Sequence, residues 1–187
     1  MLLKSPRIGA LPHPLTGLVF HFDANSGVCA VRPCEAAYLA TQVPVRVLVS
    51  ESSFNRMKVL YSRIPSKNLV VKTLKLRARD LNIERMLCLM SVDKNDGHPP
   101  LYMEYVCKVL RELAIVGSNY NAVFDYQAFR EMMDNSDLTQ MQRSPLNMRL
   151  DLLQSFLDLN PKAESVWDFR PGVLNVVDLS DPFIDQA

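Results

Sequence analysis

Two spacings of apolar residues alternate along this chain. Pro44-Val45-Arg46-Val47-Leu48-Val49-Ser50 is an almost unbroken β-branched run, the pattern of a strand covered on both faces of a sheet. Ser52 and Ser53 follow as cap residues for a helix over Phe54 to Ser62, with Phe54, Met57, Val59 or Leu60, and Tyr61 as its apolar face. Pro65 and Asn68 break the helix before Leu69 to Leu76, a second strand. Strand, helix and strand with short links form a βαβ unit, which implies a parallel sheet. Upstream, Gly17 to Asp23 is a short β-rich run, and the turn signal Asn25-Ser26-Gly27 leads into a second run at Val28 to Val31, so a hairpin is expected there. Lys4 to Pro14 carries three prolines and one glycine and reads as an extended arm.

From Asp80 the spacing becomes helical. Asp80 is placed to cap Leu81 to Ser91, with Glu84 near the first turn, and Asp96-Gly97-His98-Pro99-Pro100 is a turn that opens the next helix. Leu101 to Val116 carries Tyr102, Tyr105, Val106, Val109, Leu110 and Leu113 at helical spacing and is expected to end at Gly117. Further helices are expected at Tyr126 to Met133 and Pro145 to Leu159, with Thr139 to Arg143 as a lead-in turn. Pro171-Gly172 closes this block, and Val173 to Leu179 returns to a strand. The pattern therefore divides into an N-terminal α/β part at 1–79, an α-helical insertion at 80–170 and a returning strand at 171–187. The fold class expected is α/β, a partial parallel sheet with an α-helical insertion. A buried strand without a helix to cover it reads as truncation.

Composition narrows the function. With 21 basic and 20 acidic residues the net charge is +1, and no Lys/Arg run stands out, which argues against a dedicated nucleic-acid surface. The apolar stretches are too short to span a bilayer, and residues 1–7 lack a signal-peptide core. An intracellular location, cytoplasmic or nuclear, is expected, with no membrane partner. Of the four cysteines only Cys29 and Cys34 are close, as C-x4-C, and no second pair completes a tetrahedral site. All four are expected to be reduced thiols, Cys88 and Cys107 in the core, and no metal site is expected.

Catalytic motifs are missing. A Walker A loop needs G-x-x-x-x-G-K followed by Ser or Thr, and the six glycines, at 9, 17, 27, 97, 117 and 172, offer no pair with that spacing. The same shortage removes the dinucleotide fingerprint. The three histidines, His13, His21 and His98, have no nucleophile elbow to serve. Asp93 with Asp96, and Asp178 with Asp181, resemble turn and cap chemistry more than a general acid/base pair. What remains is Asp178, Ser180 and Asp181 at the end of the last strand, where open α/β sheets hold ligands. Asp178 suits either a magnesium-ordering acid or an aspartate capping the turn through Ser180 and Asp181, and the second is favoured because Leu179 stands where an ATPase carries glutamate. The densest basic patch is Arg77, Arg79 and Arg85, which either meets phosphate or nucleic acid or forms a solvated face partly neutralised by Asp80 and Glu84.

The stretch Leu174-Asn175-Val176-Val177-Asp178-Leu179-Ser180-Asp181-Pro182-Phe183 resembles a pattern of HerA/FtsK-like P-loop ATPases. There an apolar strand ending in D-L-S precedes a helix and then the Walker B strand. The order of strands and helices from residue 17 onward is similar to that family. The resemblance implies that Walker A lies before Met1 and the Walker B acids after Ala187, and that Asp178 is neither hallmark acid. It implies a P-loop NTPase-like fragment that does not hydrolyse ATP alone, with ATP and Mg2+ bound only in an intact parent, and nucleic acid as a partner only by family analogy. The rival expectation is a helical interaction module on an α/β scaffold, binding a protein partner or a second copy through the helical block. Met86, Met90, Met103, Met132, Met133, Met141 and Met148 suit either core packing or an adaptable surface.

Overall fold

The computed structural model describes residues 11–23, 31–90, 101–120, 124–160 and 165–181. The fold is mixed α/β, and the chain divides into two compact units, Met1–Lys75 with Val166–Ala187, and Leu76–Ser165.

The first unit is built on a four-stranded parallel sheet of β1 (Gly17–His21), β2 (Val45–Val49), β3 (Leu69–Thr73) and β6 (Leu174–Asp178) in the order β1-β6-β2-β3. The expected βαβ unit is present as β2, α1 (Phe54–Tyr61) and β3, with Val45 opposite Leu69 and Val49 opposite Thr73. Position in the sheet explains the sequence patterns. Every residue of the interior strand β6 is buried, whereas β1 and β3 at the edges alternate between half-buried and exposed. The covered face joins Val19, Val45, Val47, Val49, Leu174 and Val176 to Met57, Leu60 and Tyr61 of α1 and to Ala37 and Ala40 of a 3-10 helix, Glu35–Thr41. On the opposite face Leu18 and Phe20 of β1 remain exposed.

Of the expected hairpin, only the β1 arm lies wholly within the described residues. β1 pairs in parallel with β6, Gly17 opposite Leu174 and His21 opposite Asp178. Val28 to Ala30 lie outside the described residues, and Val31 belongs to no strand. A strand from the other end of the sequence supplies the hydrogen bonds along one edge of β1.

The second unit has its own core around Met86, Met90, Met103, Val106, Leu110, Phe129, Leu146, Leu150 and Leu153. Its helices are α2 (Ile83–Leu89), α3 (Leu101–Tyr120), α4 (Tyr126–Asp134) and α5 (Gln140–Ser155), and the short strands β4 (Leu76–Arg77) and β5 (Leu157–Asp158) pair in parallel. The expected second strand over Leu69 to Leu76 is thus two strands, in different sheets.

Several helix ends differ from expectation for local reasons. α2 is capped by Asn82, whose side chain accepts from the Arg85 N–H at 2.8 Å, because Asp80 is engaged by Arg77. α3 continues through Gly117, a residue that weakens a helix without stopping it. α5 starts earlier than Pro145, at a capping box in which the Gln142 side chain accepts from the Thr139 N–H at 3.0 Å. Pro145 then lies inside the helix and lacks the N–H that would reach the carbonyl of Met141, a residue 89% exposed. Cys88 is exposed and Cys107 half-buried, contrary to the core placement expected of both. Each sits at the margin of an apolar stripe that periodicity draws too wide.

Leu150 is fully buried in the second core. Leu150→Ala is expected to lower the unfolding free energy by about 2–5 kcal/mol, the usual cost of such a truncation. Denaturant titration checks this, and a loss well below about 1 kcal/mol would show that the site collapses around the smaller side chain.

Candidate functional site

The carboxyl ends of the parallel strands carry a cluster of buried polar residues. Asp178 ends β6 at 1% exposure, and Ser180 and Asp181 are buried just beyond it. The three candidate residues are brought together, and each has partners within the fold. Asp178 accepts from the Tyr61 hydroxyl at 2.6 Å and from the Ser180 N–H at 3.0 Å. The second bond is the local turn geometry that Asx residues favour. Asp181 accepts from the hydroxyls of Ser50 and Ser52. The Ser180 hydroxyl accepts from the Asp23 N–H at 3.0 Å, and its carbonyl accepts from Arg56 at 3.1 Å.

This arrangement changes the role expected of the serines before α1. Ser53 occupies the cap position but makes no side-chain cap bond, and its hydroxyl pairs with that of Ser50 at 2.8 Å. Ser50 and Ser52 serve Asp181, a long-range contact that local cap rules cannot anticipate.

Tyr61 links this cluster to a second one. Its oxygen accepts from the Cys34 N–H at 3.1 Å while its proton goes to Asp178. Burial, then the Asp178 charge, pushes the Tyr61 phenol far above its ordinary range, so it stays a donor. Burial also pushes the Cys34 thiol up. Beside Cys34 lie His21, at the end of β1, and Glu35, at the start of the 3-10 helix. A ring nitrogen, the thiol sulfur and a carboxylate oxygen of these three lie within 4.8 Å of one another. Sequence spacing gave no notice of this group. The only hint was that His21 shares the inner face of β1 with Val19.

In the second unit, Arg77 and Arg79 line a cavity of about 670 Å3 together with Phe124, Tyr126, Arg130 and Asp158. That volume lies within the range of small-molecule pockets. Arg77 is held by a two-point pair with Asp80, both N–O distances 2.7 Å, which keeps the Asp80 carboxyl below the usual carboxylate range. Arg85, the third member of the expected patch, does not line the cavity and donates to the Asp80 carbonyl at 2.6 Å. Arg130 takes its place there, a residue that sequence reading missed. Its Nη1 and the Tyr126 hydroxyl are buried without a hydrogen-bond partner among the described residues. His13 is exposed, and Asp93, Asp96 and His98 lie outside the described residues. No helix among the described residues is long and apolar enough to cross a membrane.

Comparison with known protein families, curated proteins and solved structures finds no match for this chain.

Tyr61→Phe removes the donor to a buried carboxylate and the acceptor for the Cys34 N–H in one step. It is expected to cost at least about 1–3 kcal/mol, the penalty for leaving a buried polar group unsatisfied. Chemical denaturation reads the loss, and an unchanged midpoint would mean that water replaces the phenol.

Proposed function

We propose that the chain is a portion of a P-loop NTPase-like domain of HerA/FtsK type that does not hydrolyse ATP on its own. The observation that carries this reading is β6, an interior strand of an all-parallel sheet that ends in Asp178-Leu179-Ser180 with polar side chains gathered at the carboxyl edge. In open α/β sheets that edge is where ligands bind. Two features favour inactivity. The glycines lack Walker A spacing, and Asp178 is buried and hydrogen-bonded to Tyr61 and Ser180 rather than presented to a hydrated magnesium ion. In this reading ATP and Mg2+ bind only when the missing motifs are supplied, and nucleic acid as a partner follows from the family alone.

The purified 187-residue chain is expected to release no phosphate from Mg-ATP above the buffer rate. Transcripts spanning the reading frame are expected to encode a G-x-x-x-x-G-K-[ST] loop upstream and an apolar strand ending in Asp-Glu downstream. Magnesium-dependent turnover by the chain itself, or flanks of unrelated sequence, would overturn the reading.

A second reading, a helical interaction module, draws on a specific surface. Met86, Met90, Met103 and Met133 are spent in the core, but Met141 and Met148 are 89% and 71% exposed and Leu152 is 40% exposed. These three recur at helical spacing on α5, a flexible apolar stripe suited to an adaptable interface. On this reading the chain self-associates in solution, and Met148→Glu shifts it to monomer in light scattering. A monomeric parent chain would remove the self-association version.

A further inference from the structure

We propose that His21, Cys34 and Glu35 form a zinc-binding site at the carboxyl end of β1. The inference is independent of the reading above. Its first support is convergence: β1 delivers His21, and the chain returns at Cys34 and Glu35 so that the three candidate ligand atoms lie within 4.8 Å of one another. The second is an orphan atom. His21 Nε2 is buried and has no hydrogen-bond partner among the described residues. Buried polar atoms are nearly always satisfied, so an unsatisfied nitrogen on an imidazole that neighbours a thiol and a carboxylate calls for a ligand.

The donor set selects the ion. Sulfur with imidazole nitrogen excludes magnesium and calcium, which take oxygen ligands, and the addition of one carboxylate suits borderline-soft zinc. Zinc bonds of about 2.0–2.3 Å place tetrahedral ligand atoms about 3.3–3.8 Å apart. Separations within 4.8 Å call for a closure of at most about 1.5 Å on binding, which the exposed Glu35 side chain is free to provide. Cys34 is held at its backbone by Tyr61, itself anchored on Asp178. Such outer partners orient a metal's direct ligands. Three protein ligands leave the fourth position to water or an exogenous group, as in zinc sites open to solvent.

The experiment uses the full chain, purified without chelator from zinc-supplemented medium and then exchanged with Co2+. One zinc per chain is expected, and the cobalt form is expected to show a thiolate-to-cobalt charge-transfer band. Cys34→Ser should abolish that band, while Cys88→Ser leaves it intact. Glu35→Gln, at an exposed position that does not threaten the fold, should weaken zinc by more than the roughly 10–100-fold typical of losing an outer-shell partner. His21→Ala should do the same with an unchanged far-ultraviolet circular dichroism spectrum. A wild-type chain that retains no zinc after incubation at micromolar Zn2+ would overturn the proposal, whatever the variants do. Zinc bound equally well by wild type, Cys34→Ser and Glu35→Gln would overturn it too.

Discussion

Insertion of β6 between β1 and β2 is the constraint on which the first unit depends. It satisfies backbone groups on both neighbours, with His21 and Val49 both in register with Asp178. It also carries two polar residues, Asn175 and Asp178, into full burial. Buried amides and carboxylates destabilise unless hydrogen-bonded, and both are. Asn175 accepts from Arg46 at 2.8 Å and donates to the Gly17 carbonyl at 3.2 Å, which ties it to both adjacent strands. Arg46 also donates to the carbonyls of Val166 and Asp168 and lies 5.6 Å from the centre of the Phe169 ring. One side chain thus holds the segment before β6 against the sheet that β6 completes.

The same strand explains how much of the fold the sequence disclosed. β2, α1 and β3 are legible because their contacts are local: a β-branched run, an apolar helical face and short links encode a βαβ unit by themselves. The neighbour of β1 was not legible. Gly17 to His21 finds its partner more than 150 residues away, as the Thr16 to Arg170 bond beside it shows with a separation of 154. No periodicity within a short window can hold that information. The split of Leu69 to Leu76 has the same origin, since the Leu76 N–H donates to the Phe156 carbonyl at 2.8 Å and Leu76 pairs in another sheet.

The site residues follow a parallel rule. Asp178, Ser180 and Asp181 were found because strand ends are a place to look, and they do converge. What could not be read was which of their bonds were already taken. Ser52, which cap chemistry assigns to α1, serves Asp181 instead, and Tyr61, which helical spacing assigns to the core, donates to Asp178. In the second unit Arg77 and Arg79 meet Arg130 only after the chain folds back, while Arg85, closest to them in sequence, faces elsewhere. Charge density along a sequence is a poor guide to charge density around a cavity.

Satisfaction, rather than residue type, separates the polar groups of the first unit. Asp178 and Asp181 are the more suggestive residues by chemistry, yet each already accepts two hydrogen bonds within the fold. His21 is the blander residue in sequence, between Phe20 and Phe22 at the end of a short edge strand, and its Nε2 is buried without a partner among the described residues. A fold that satisfies its polar groups so thoroughly along β6 has no structural reason to strand one at the adjacent strand end. Local rules broken without an evident compensating gain mark functional positions more often than accidents. For that reason the chemistry of this unit is better sought beside Cys34 than at the aspartates to which the sequence first directs attention.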